Sequence, residues 1–224
     1  FIMHKTDKAD ENCSHNFLNF IEKRISGEPL QYILGEWSFM GFDFKVGRGV
    51  LIPRDDTEVV VNLCLDFLKN RTEKKTVDLC SGSGAIAVAL DKISGAEVTA
   101  VEIDETAFSY LETNVKENNS SVKPVMADAL KICDTFADGG LDLIVSNPPY
   151  IKSADIETLQ KEVQLEPRLA LDGGEDGCDF YREIVSRWSR KLKKGGALAF
   201  ELGENQADAV KALMTDKGFS DFKI

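Results

Sequence analysis

The stretch Val77-Asp78-Leu79-Cys80-Ser81-Gly82-Ser83-Gly84 decides the fold of this 224-residue chain, because it joins a short apolar strand to a turn of small residues. Residues 85–90 then continue as an apolar helix. Glycines let a backbone approach a ligand closely, and a helix N-terminus presents free N–H groups. About twenty residues later Glu102 ends the next predicted strand, where a carboxylate can accept hydrogen bonds from two ribose hydroxyls. The pattern predicts a pocket for a nucleoside-containing cofactor.

Short apolar runs alternate with helical patterns from Lys75 to the end of the chain. The predicted strands are residues 76–79, 98–101, 122–126, 141–145, 197–201 and 219–224. The predicted helices are residues 55–69, 85–92, 106–118, 179–193 and 206–217. This alternation predicts an α/β fold with a mostly parallel, doubly wound sheet that binds its ligands at the carboxyl ends of the strands.

Three other segments have patterns of their own. Residues 16–26 have helical spacing, and residues 36–53 read as a β-hairpin with Met40-Gly41 at its turn. The hairpin aromatics, among them Trp37 and Phe39, favour a packed face over a platform for stacking bases. Residues 151–177 have no clear period and are long for a connection, so we expect a functional loop or lid there.

The glycine loop, residues 80–84, does not by itself identify the cofactor. The spacing Gly82-x-Gly84-x-x-Ala87 also fits a dinucleotide such as NAD. Asp78 favours S-adenosylmethionine, because an acid here suits the methionine end, whereas a pyrophosphate would be repelled by a carboxylate. Asp128 follows the third predicted strand, where either contact with an adenine amino group or an ordinary turn would explain it.

The residues Asn147-Pro148-Pro149-Tyr150 follow the predicted strand 141–145 and therefore lie at the ligand-binding edge of the sheet. Because proline fixes φ, the backbone here is rigid, and the Asn147 amide and Pro148 carbonyl offer two acceptors to a planar –NH2 group. Holding both hydrogens would align a poorly nucleophilic nitrogen with an incoming methyl group and favour positive charge on it, while Tyr150 would stack on or wall off the substrate. The motif favours an amino-methyltransferase over a dehydrogenase.

The composition narrows the functional classes further. With 27 basic and 38 acidic side chains the net charge is −11, which argues against phosphate-driven binding of nucleic acid. The five cysteines form no C-x-x-C pair and the two histidines, His4 and His15, lie near the start, so we expect no metal site and a reducing cytoplasm. No apolar run approaches the roughly 18–20 residues that span a bilayer, so we expect no membrane partner.

Four separated motifs give the chain a family resemblance. Asn-Pro-Pro-Tyr after the fourth strand of such a sheet resembles the amino-methyltransferases of DNA, RNA and protein glutamine. Residues 27–37 (GEPLQYILGEW), 50–58 (VLIPRDDTE) and 166–177 (EPRLALDGGEDG) narrow the choice. Together they resemble the peptide-chain release factor glutamine methyltransferases, the HemK/PrmC family, from about Gly27 to Ile224.

The resemblance implies a Rossmann-like class I methyltransferase domain over residues 55–224, a β-hairpin linker over residues 36–54 and a partial helical substrate-docking region over residues 1–35. It implies S-adenosylmethionine as cofactor, with S-adenosylhomocysteine as product and no metal. The methyl acceptor would be the side-chain amide nitrogen of the glutamine in the Gly-Gly-Gln motif of a release factor.

The resemblance also implies roles for residues at matching positions. The cofactor-binding residues would be Asp78, Ser81, Gly82, Ser83, Gly84, Glu102, Asp128, Ala129 and Asn147. The catalytic residues that grip the glutamine amide would be Asn147, Pro148, Pro149 and Tyr150. Pro53, Arg54, Thr57 and Glu58 would border the site.

The chain departs from the family pattern in a few places. Cys80 stands where many methyltransferases have glycine, Glu102 is the longer acid, and Asp55 replaces a proline after Arg54. We expect an incomplete N-terminal helical domain, and we expect the last antiparallel strand of the fold to be missing after Ile224.

Three other functions are compatible with parts of the sequence. The main one is a DNA or RNA amino-methyltransferase that uses the same Asn-Pro-Pro-Tyr site, which would need a basic groove or a target-recognition domain. The others are an oxidoreductase and a protein that binds cofactor without turnover. The basic run of residues 190–194 is interpreted as the solvated end of a helix and not as a nucleic-acid site.

Overall fold

Strands and helices alternate from residue 75 onward in the computed structural model, which describes residues 11–224. Within that range the strands are β1 (Glu36–Phe39), β2 (Phe42–Lys45), β3 (Lys75–Leu79), β4 (Glu97–Glu102), β5 (Lys123–Met126), β6 (Leu141–Ser146) and β7 (Leu192–Phe200). The helices are α1 (Glu11–Ile25), α2 (Leu30–Leu34), α3 (Asp55–Leu68), α4 (Ala85–Ser94), α5 (Glu105–Glu117), α6 (Lys161–Gln164), α7 (Asp179–Trp188) and α8 (Ala207–Asp216). The predicted docking region 1–35 is thus described only from residue 11, and His4 lies outside the described residues.

Five strands form one parallel sheet in the order β5-β4-β3-β6-β7. The chain moves from β3 outward to β5, returns to the other side of β3 as β6, and continues to β7. The direction of winding therefore reverses between β3 and β6, which is where open α/β sheets form a ligand crevice at their carboxyl ends. The doubly wound α/β fold is confirmed, and the reversal brings the glycine loop and Asn-Pro-Pro-Tyr to one crevice.

Helices cover both faces of the sheet. On one face α3, α4 and α5 bury apolar side chains such as Val61, Leu90 and Leu111 against the strands. On the other face α7 buries Ile184 and Trp188. Within residues 11–224 no helix combines the length and the hydropathy needed to cross a bilayer.

The predicted hairpin is confirmed, with β1 and β2 antiparallel in a register that pairs Phe39 with Phe42. Met40 and Gly41 between them have φ of 51° and 80°, as in the two-residue turns that match the twist of a hairpin. Phe39 and Phe44 are buried in the core, with their rings edge to face at 6.2 Å. The interpretation of this aromatic face as packing is therefore confirmed for both phenylalanines.

Two predicted elements near the C-terminus are wrong. Residues 219–224 do not form a strand. Among the described residues β7 is the edge strand of the sheet, and no further strand supplies residues 219–224 with a hydrogen-bonding partner. The helix predicted for residues 179–193 ends as α-helix at Trp188, and Leu192 already begins β7, which pairs with β6. Lys191 in the basic run is buried and donates to the Phe136 carbonyl and to Asp138, so the run is not a solvated helix end.

Candidate active site

The glycine loop after β3 depends on backbone conformations that few side chains adopt. Cys80, Gly82 and Gly84 have φ of 58°, 53° and 82°, all in the left-handed region. A Cβ on Gly82 would meet open space, whereas one on Gly84 would lie 2.4 Å from the Leu111 side chain. Gly82 thus exposes backbone to the crevice, and Gly84 lets α4 pack closely on α5.

Glu102 at the end of β4 holds the glycine loop in place. Its Oε2 accepts from the Gly82 backbone N–H at 2.7 Å, and its Oε1 accepts from Ile103 and Asp104 at 2.8 and 2.9 Å. Hydrogen bonds from amides to an ionised carboxylate are among the stronger ones in proteins. A carboxylate has about four lone-pair positions, and three of them accept backbone N–H groups here, so Glu102 keeps one for a ribose hydroxyl.

Asp78 lies in β3 directly behind the glycine loop and is fully buried. Neither of its carboxylate oxygens has a hydrogen-bond partner among the described residues. Burial raises the pKa of Asp78 to about 8, because a low-dielectric interior disfavours the ionised carboxylate by more than the nearby Ser81 hydroxyl and Ala87 N–H favour it. Such an orphaned acid fits a cationic group, so the ammonium of an S-adenosylmethionine methionine end would stabilise its charged form.

One cavity joins the glycine loop to the Asn-Pro-Pro-Tyr turn. Among the predicted cofactor and catalytic residues, Ser81, Gly82, Ser83, Glu102, Asp128, Ala129, Asn147 and Pro149 line it. Pro53 and Thr57 from the segment that opens α3 line it as well. Gly84, Pro148 and Tyr150 are chain neighbours of lining residues, and Asp78 lies two positions before the lining residue Cys80. The structure thus brings residues from β3, β4, β6 and the start of α3 around one space.

Asp128 forms an ordinary turn and also lines the cavity. Asp128 lines the cavity, while its Oδ1 accepts from the Leu130 backbone N–H at 2.8 Å, as in an ordinary Asx turn. The next residue, Ala129, is held by Trp188, whose indole Nε1 donates to the Ala129 carbonyl at 2.8 Å. The buried Trp188 of α7 therefore holds this wall of the cavity in place.

A hydrogen-bonded network connects Asn147 and Tyr150 to the end of β7. Asn147 Nδ2 donates to Thr57 Oγ1 at 3.4 Å, and Thr57 Oγ1 donates to the carboxylate of Glu201. The Tyr150 hydroxyl donates to the other oxygen of Glu201 at 3.1 Å. Burial and the neighbouring Glu201 carboxylate raise the pKa of Tyr150, so its phenol is a neutral donor.

Glu201 is the residue of this network that sequence reasoning missed. It is buried, and its backbone N–H donates to the Ser146 carbonyl at 3.1 Å, which places it beside the residue that precedes Asn147. The available signal was its position as the last residue of the predicted strand 197–201. The carboxyl edge of a parallel sheet is where ligands bind, and an acid at that edge would have been a candidate.

The lid, residues 151–177, is tied to the segment before α3 by one buried acid. Glu166 has a side chain only 1% exposed, and it accepts from Arg54 Nη2 and from the Ile52 backbone N–H, the latter at 3.0 Å. Burial raises the pKa of Glu166, and the Arg54 guanidinium opposes that shift. Pro167 and Leu169 of the lid line the cavity, so the contacts of Glu166 hold the lid against the cofactor side of the cavity.

The far end of the lid lies against the Asn-Pro-Pro-Tyr turn with no room for side chains. A Cβ on Gly173 would lie 2.7 Å from Tyr150 Cα, and a Cβ on Gly177 would lie 2.4 Å from the Tyr150 carbonyl oxygen. Gln206 at the start of α8 completes this contact, because its Nε2 donates to the carbonyls of Tyr150 and Gly177 at 2.9 and 3.1 Å. The backbone of the turn is therefore supported from behind by the lid.

No group of three or more His, Cys, Asp or Glu side chains within residues 11–224 is arranged to hold a metal ion. The site as described offers carboxylates, amides, backbone N–H groups and an apolar wall. These groups suit an organic cofactor with a cationic end and a nucleoside end, together with a planar –NH2 group beside Asn147.

Two family models match the chain. The model described as methyltransferase small domain matches residues 53–175, and the model described as PrmC N-terminal domain matches residues 1–35. A protein from Clostridium acetobutylicum named release factor glutamine methyltransferase is 37% identical over 222 residues, covering 97% of this chain and 78% of that protein. A protein of the same name from Geobacter sulfurreducens is 44% identical over 203 residues, covering 90% of this chain and 70% of that protein.

Solved structures of other methyltransferases share the fold. A methyltransferase from Pyrococcus furiosus has a TM-score of 0.60 at 22% identity, covering 94% of this chain and 89% of that chain. The hMettl16 catalytic domain, in complex with MAT2A 3′UTR hairpin 6, has a TM-score of 0.67 at 19% identity, covering 86% and 74%. At these identities the likeness shows the fold alone.

Proposed function

Since the chain belongs to the family of release factor glutamine methyltransferases, we propose that it methylates the glutamine of a Gly-Gly-Gln motif in a peptide chain release factor. The acceptor is the side-chain amide nitrogen. The observation that carries the proposal is that Asn147 lines the same cavity as the glycine loop and Glu102. A methyl donor and a planar amide would therefore meet in one enclosed space.

S-adenosylmethionine fits the residues of the cofactor side. Glu102 would accept from a hydroxyl of its ribose, Asp128 and Ala129 would flank its adenine, and Asp78 would stabilise its ammonium group. When bound, this cofactor supplies an electrophilic methyl group on a sulfonium sulfur and leaves as S-adenosylhomocysteine. The apolar wall of the cavity keeps water away from the acceptor nitrogen.

The Asn-Pro-Pro-Tyr turn would prepare the acceptor. An amide nitrogen is a poor nucleophile because its lone pair is delocalised into the carbonyl. Asn147 Oδ1 and the Pro148 carbonyl would accept its two N–H bonds, which orients the nitrogen and stabilises the positive charge that develops on it. Tyr150, held by Glu201, would form a wall beside the amide.

We assign docking of the release factor to residues 1–35, linkage to residues 36–54 and catalysis to residues 55–224. The match of the PrmC N-terminal domain model to residues 1–35 supports the first assignment, as do exposed apolar side chains on α1 such as Phe17 and Leu18. Because a release factor works with the ribosome, we propose the cytoplasm as the compartment. Relatives at 36–44% identity are named for release factors, so a nucleic-acid substrate is not favoured.

Transfer of labelled methyl groups from S-adenosylmethionine tests the proposal. The substrates are a purified release factor, the same factor with its Gly-Gly-Gln glutamine changed to alanine, and mixed DNA and RNA. We expect label on the first substrate alone, and a loss of at least about 100-fold in Asn147→Ala, because a preorganised acceptor is removed. Asn70→Ala, at an exposed position after α3, is the matched control with unchanged activity. Label on nucleic acid alone would overturn the proposal.

A further inference from the structure

Hydrogen bonds connect three side chains from the end of β7 to the wall of the cavity: buried Glu201, buried Thr57 and half-buried Asn147. Glu201 accepts from the Thr57 hydroxyl, and the oxygen of that hydroxyl accepts from Asn147 Nδ2 over 3.4 Å. Thr57 and Glu201 are only 4% and 7% exposed, so water does not compete for these groups. The second carboxylate oxygen of Glu201 is engaged by the Tyr150 hydroxyl.

The donors and acceptors of Glu201, Thr57 and Asn147 allow one arrangement of the protons between them. An ionised carboxylate only accepts hydrogen bonds, and a hydroxyl has a single proton to give. The Thr57 proton is given to Glu201, so Thr57 can offer Asn147 only a lone pair. The side chain of Asn147 has an oxygen on one side and an NH2 on the other, so its NH2 turns to Thr57 and its Oδ1 turns away.

The geometry points to Thr57 and Glu201 as positioning residues that fix the polarity of Asn147. This inference rests on the proposed function, in which Asn147 Oδ1 accepts an N–H of the substrate amide. Without the contacts of Thr57 and Glu201, the Asn147 amide would have two orientations of similar energy. The flipped orientation would direct the N–H groups of Asn147 at the N–H groups of the substrate. Thr57 and Glu201 remove the flipped orientation before the substrate arrives, which is preorganisation.

Thr57 and Glu201 also contribute to the specificity for a substrate amide over a substrate carboxylate. A glutamate side chain has the size of glutamine but presents only acceptors, so it would meet the fixed acceptor of Asn147 without a proton between them. An Asn147 that is free to flip would tolerate the carboxylate. The Pro148 carbonyl disfavours glutamate in every variant, so a change in the discrimination between glutamine and glutamate reports a change in the polarity of Asn147.

Three variants separate polarity from packing. Thr57→Val keeps the shape and removes the hydroxyl, whereas Thr57→Ser keeps the hydroxyl and removes a methyl group. Glu201→Gln keeps an acceptor for Tyr150 and can turn its NH2 to Thr57, which sends the Thr57 proton to Asn147 and inverts the amide. Thr215→Val, at an exposed position in the last turn of α8, is the matched control.

The experiment measures kcat and KM with a release factor, and the inhibition constant of the same factor with glutamate in its Gly-Gly-Gln motif. For Thr57→Val we expect kcat to fall about tenfold and the preference for glutamine over glutamate to fall about tenfold, as for a lost buried hydrogen bond. We expect Glu201→Gln to lose at least as much in both, Thr57→Ser to restore both to within about threefold of the unmodified chain, and Thr215→Val to change neither.

Each outcome has one meaning. Lower kcat with weaker discrimination, restored by serine, supports the inference. Lower kcat with unchanged discrimination would reduce Thr57 to packing and overturn it, as would unchanged values in both Thr57→Val and Glu201→Gln. If Thr57→Val does not fold, Glu201→Gln decides alone. An unmodified chain that leaves the release factor unmethylated contradicts the proposed function instead, so the two failures are distinct.

Discussion

The glycine loop and the lid border the same cavity, but different kinds of contact hold them. The glycine loop is tied to Glu102, twenty positions along the chain, by the backbone N–H of Gly82. The lid is tied by Glu166 to residues 112 and 114 positions away. The first is a property of one strand–turn–helix unit and its neighbour. The second exists only after the whole chain has folded.

The difference shows where function is robust. The glycine loop depends on its φ angles and on several contacts, since Ser81 N–H donates to the Val101 carbonyl and Asn114 donates to the Ser83 carbonyl in addition to the bond to Glu102. The contact of the lid with the segment before α3 depends on two particular side chains, Glu166 in the lid and Arg54 in that segment. Substitutions at residues of both regions test whether their contacts differ in this way.

The largest effect on cofactor affinity is expected for Glu102→Gln. An amide in place of the carboxylate turns an NH2 toward backbone N–H groups and removes the charge that strengthens the remaining bonds. We expect the affinity for S-adenosylmethionine to fall about 100-fold, which is about 2.7 kcal/mol and corresponds to one or two charge-assisted hydrogen bonds. Calorimetric titration measures the affinity, and Glu105→Gln, exposed at the start of α5, is the control. A change of less than threefold would show that Glu102 does not organise the loop.

Glu166→Ala tests the lid. The substitution leaves the Ile52 N–H without its acceptor and Arg54 without its buried partner, and Arg54, with a side chain 35% exposed, can still reach water. We therefore expect the free energy of unfolding to fall by about 2 kcal/mol and protease cleavage within residues 151–177 to become faster.

A matched control for the lid lies four positions away. Glu162 pairs with Arg24 on the surface at 2.8 Å, with both side chains more than a third exposed. Glu162→Ala should leave the free energy of unfolding nearly unchanged, because water screens this exposed pair. Urea denaturation of both variants gives the comparison, and equal losses would mean that burial of Glu166 is not what holds the lid.

Asp78→Asn tests the orphaned acid through pH. The pKa of Asp78 is raised to about 8 in the folded chain and has its ordinary value when unfolded, so between about pH 4 and 8 the folded state keeps a proton that the unfolded state loses. The free energy of unfolding of the cofactor-free protein should therefore fall as pH rises through this window, by at most about 1.4 kcal/mol per pH unit. Denaturation at several pH values should show a shallower slope in Asp78→Asn. Identical slopes would mean that Asp78 titrates normally.

The smallest effect is expected at Cys80, where φ is 58°. Glycine adopts this conformation without penalty, whereas alanine keeps the steric cost of the left-handed region. We expect Cys80→Gly to be more stable than Cys80→Ala by about 1 kcal/mol, measured from urea denaturation midpoints. Equal stability would mean that the turn relaxes around residue 80.

The sheet and the glycine loop were predictable because their signals are local. The alternation of apolar runs with helical periods specified β3, β4, α4 and α5 to within a few residues. The small residues of the glycine loop, followed by an apolar helix, specified the crevice. Each of these signals is contained in a window of about twenty residues, which is the range over which propensity and periodicity act.

What could not be predicted depends on neighbours in space. Residues 219–224 have the composition of a strand, yet a strand needs a partner, and no described strand is beside them. Lys191 has the composition of a solvated cation, yet the Phe136 carbonyl and Asp138 hold it in the interior. Thr57 and Glu201 are 144 positions apart in sequence, so the residues next to either one do not predict that the two side chains are hydrogen-bonded.

The close packing of Gly173 and Gly177 against Tyr150 has an evolutionary consequence. Any side chain at either position would have to displace backbone, which cannot yield as a flexible side chain does. A substitution at either glycine would therefore move the turn at Tyr150 as well as the lid, although the two lie more than twenty residues apart in sequence. A second change that makes room at the turn would be needed before either position could carry a side chain.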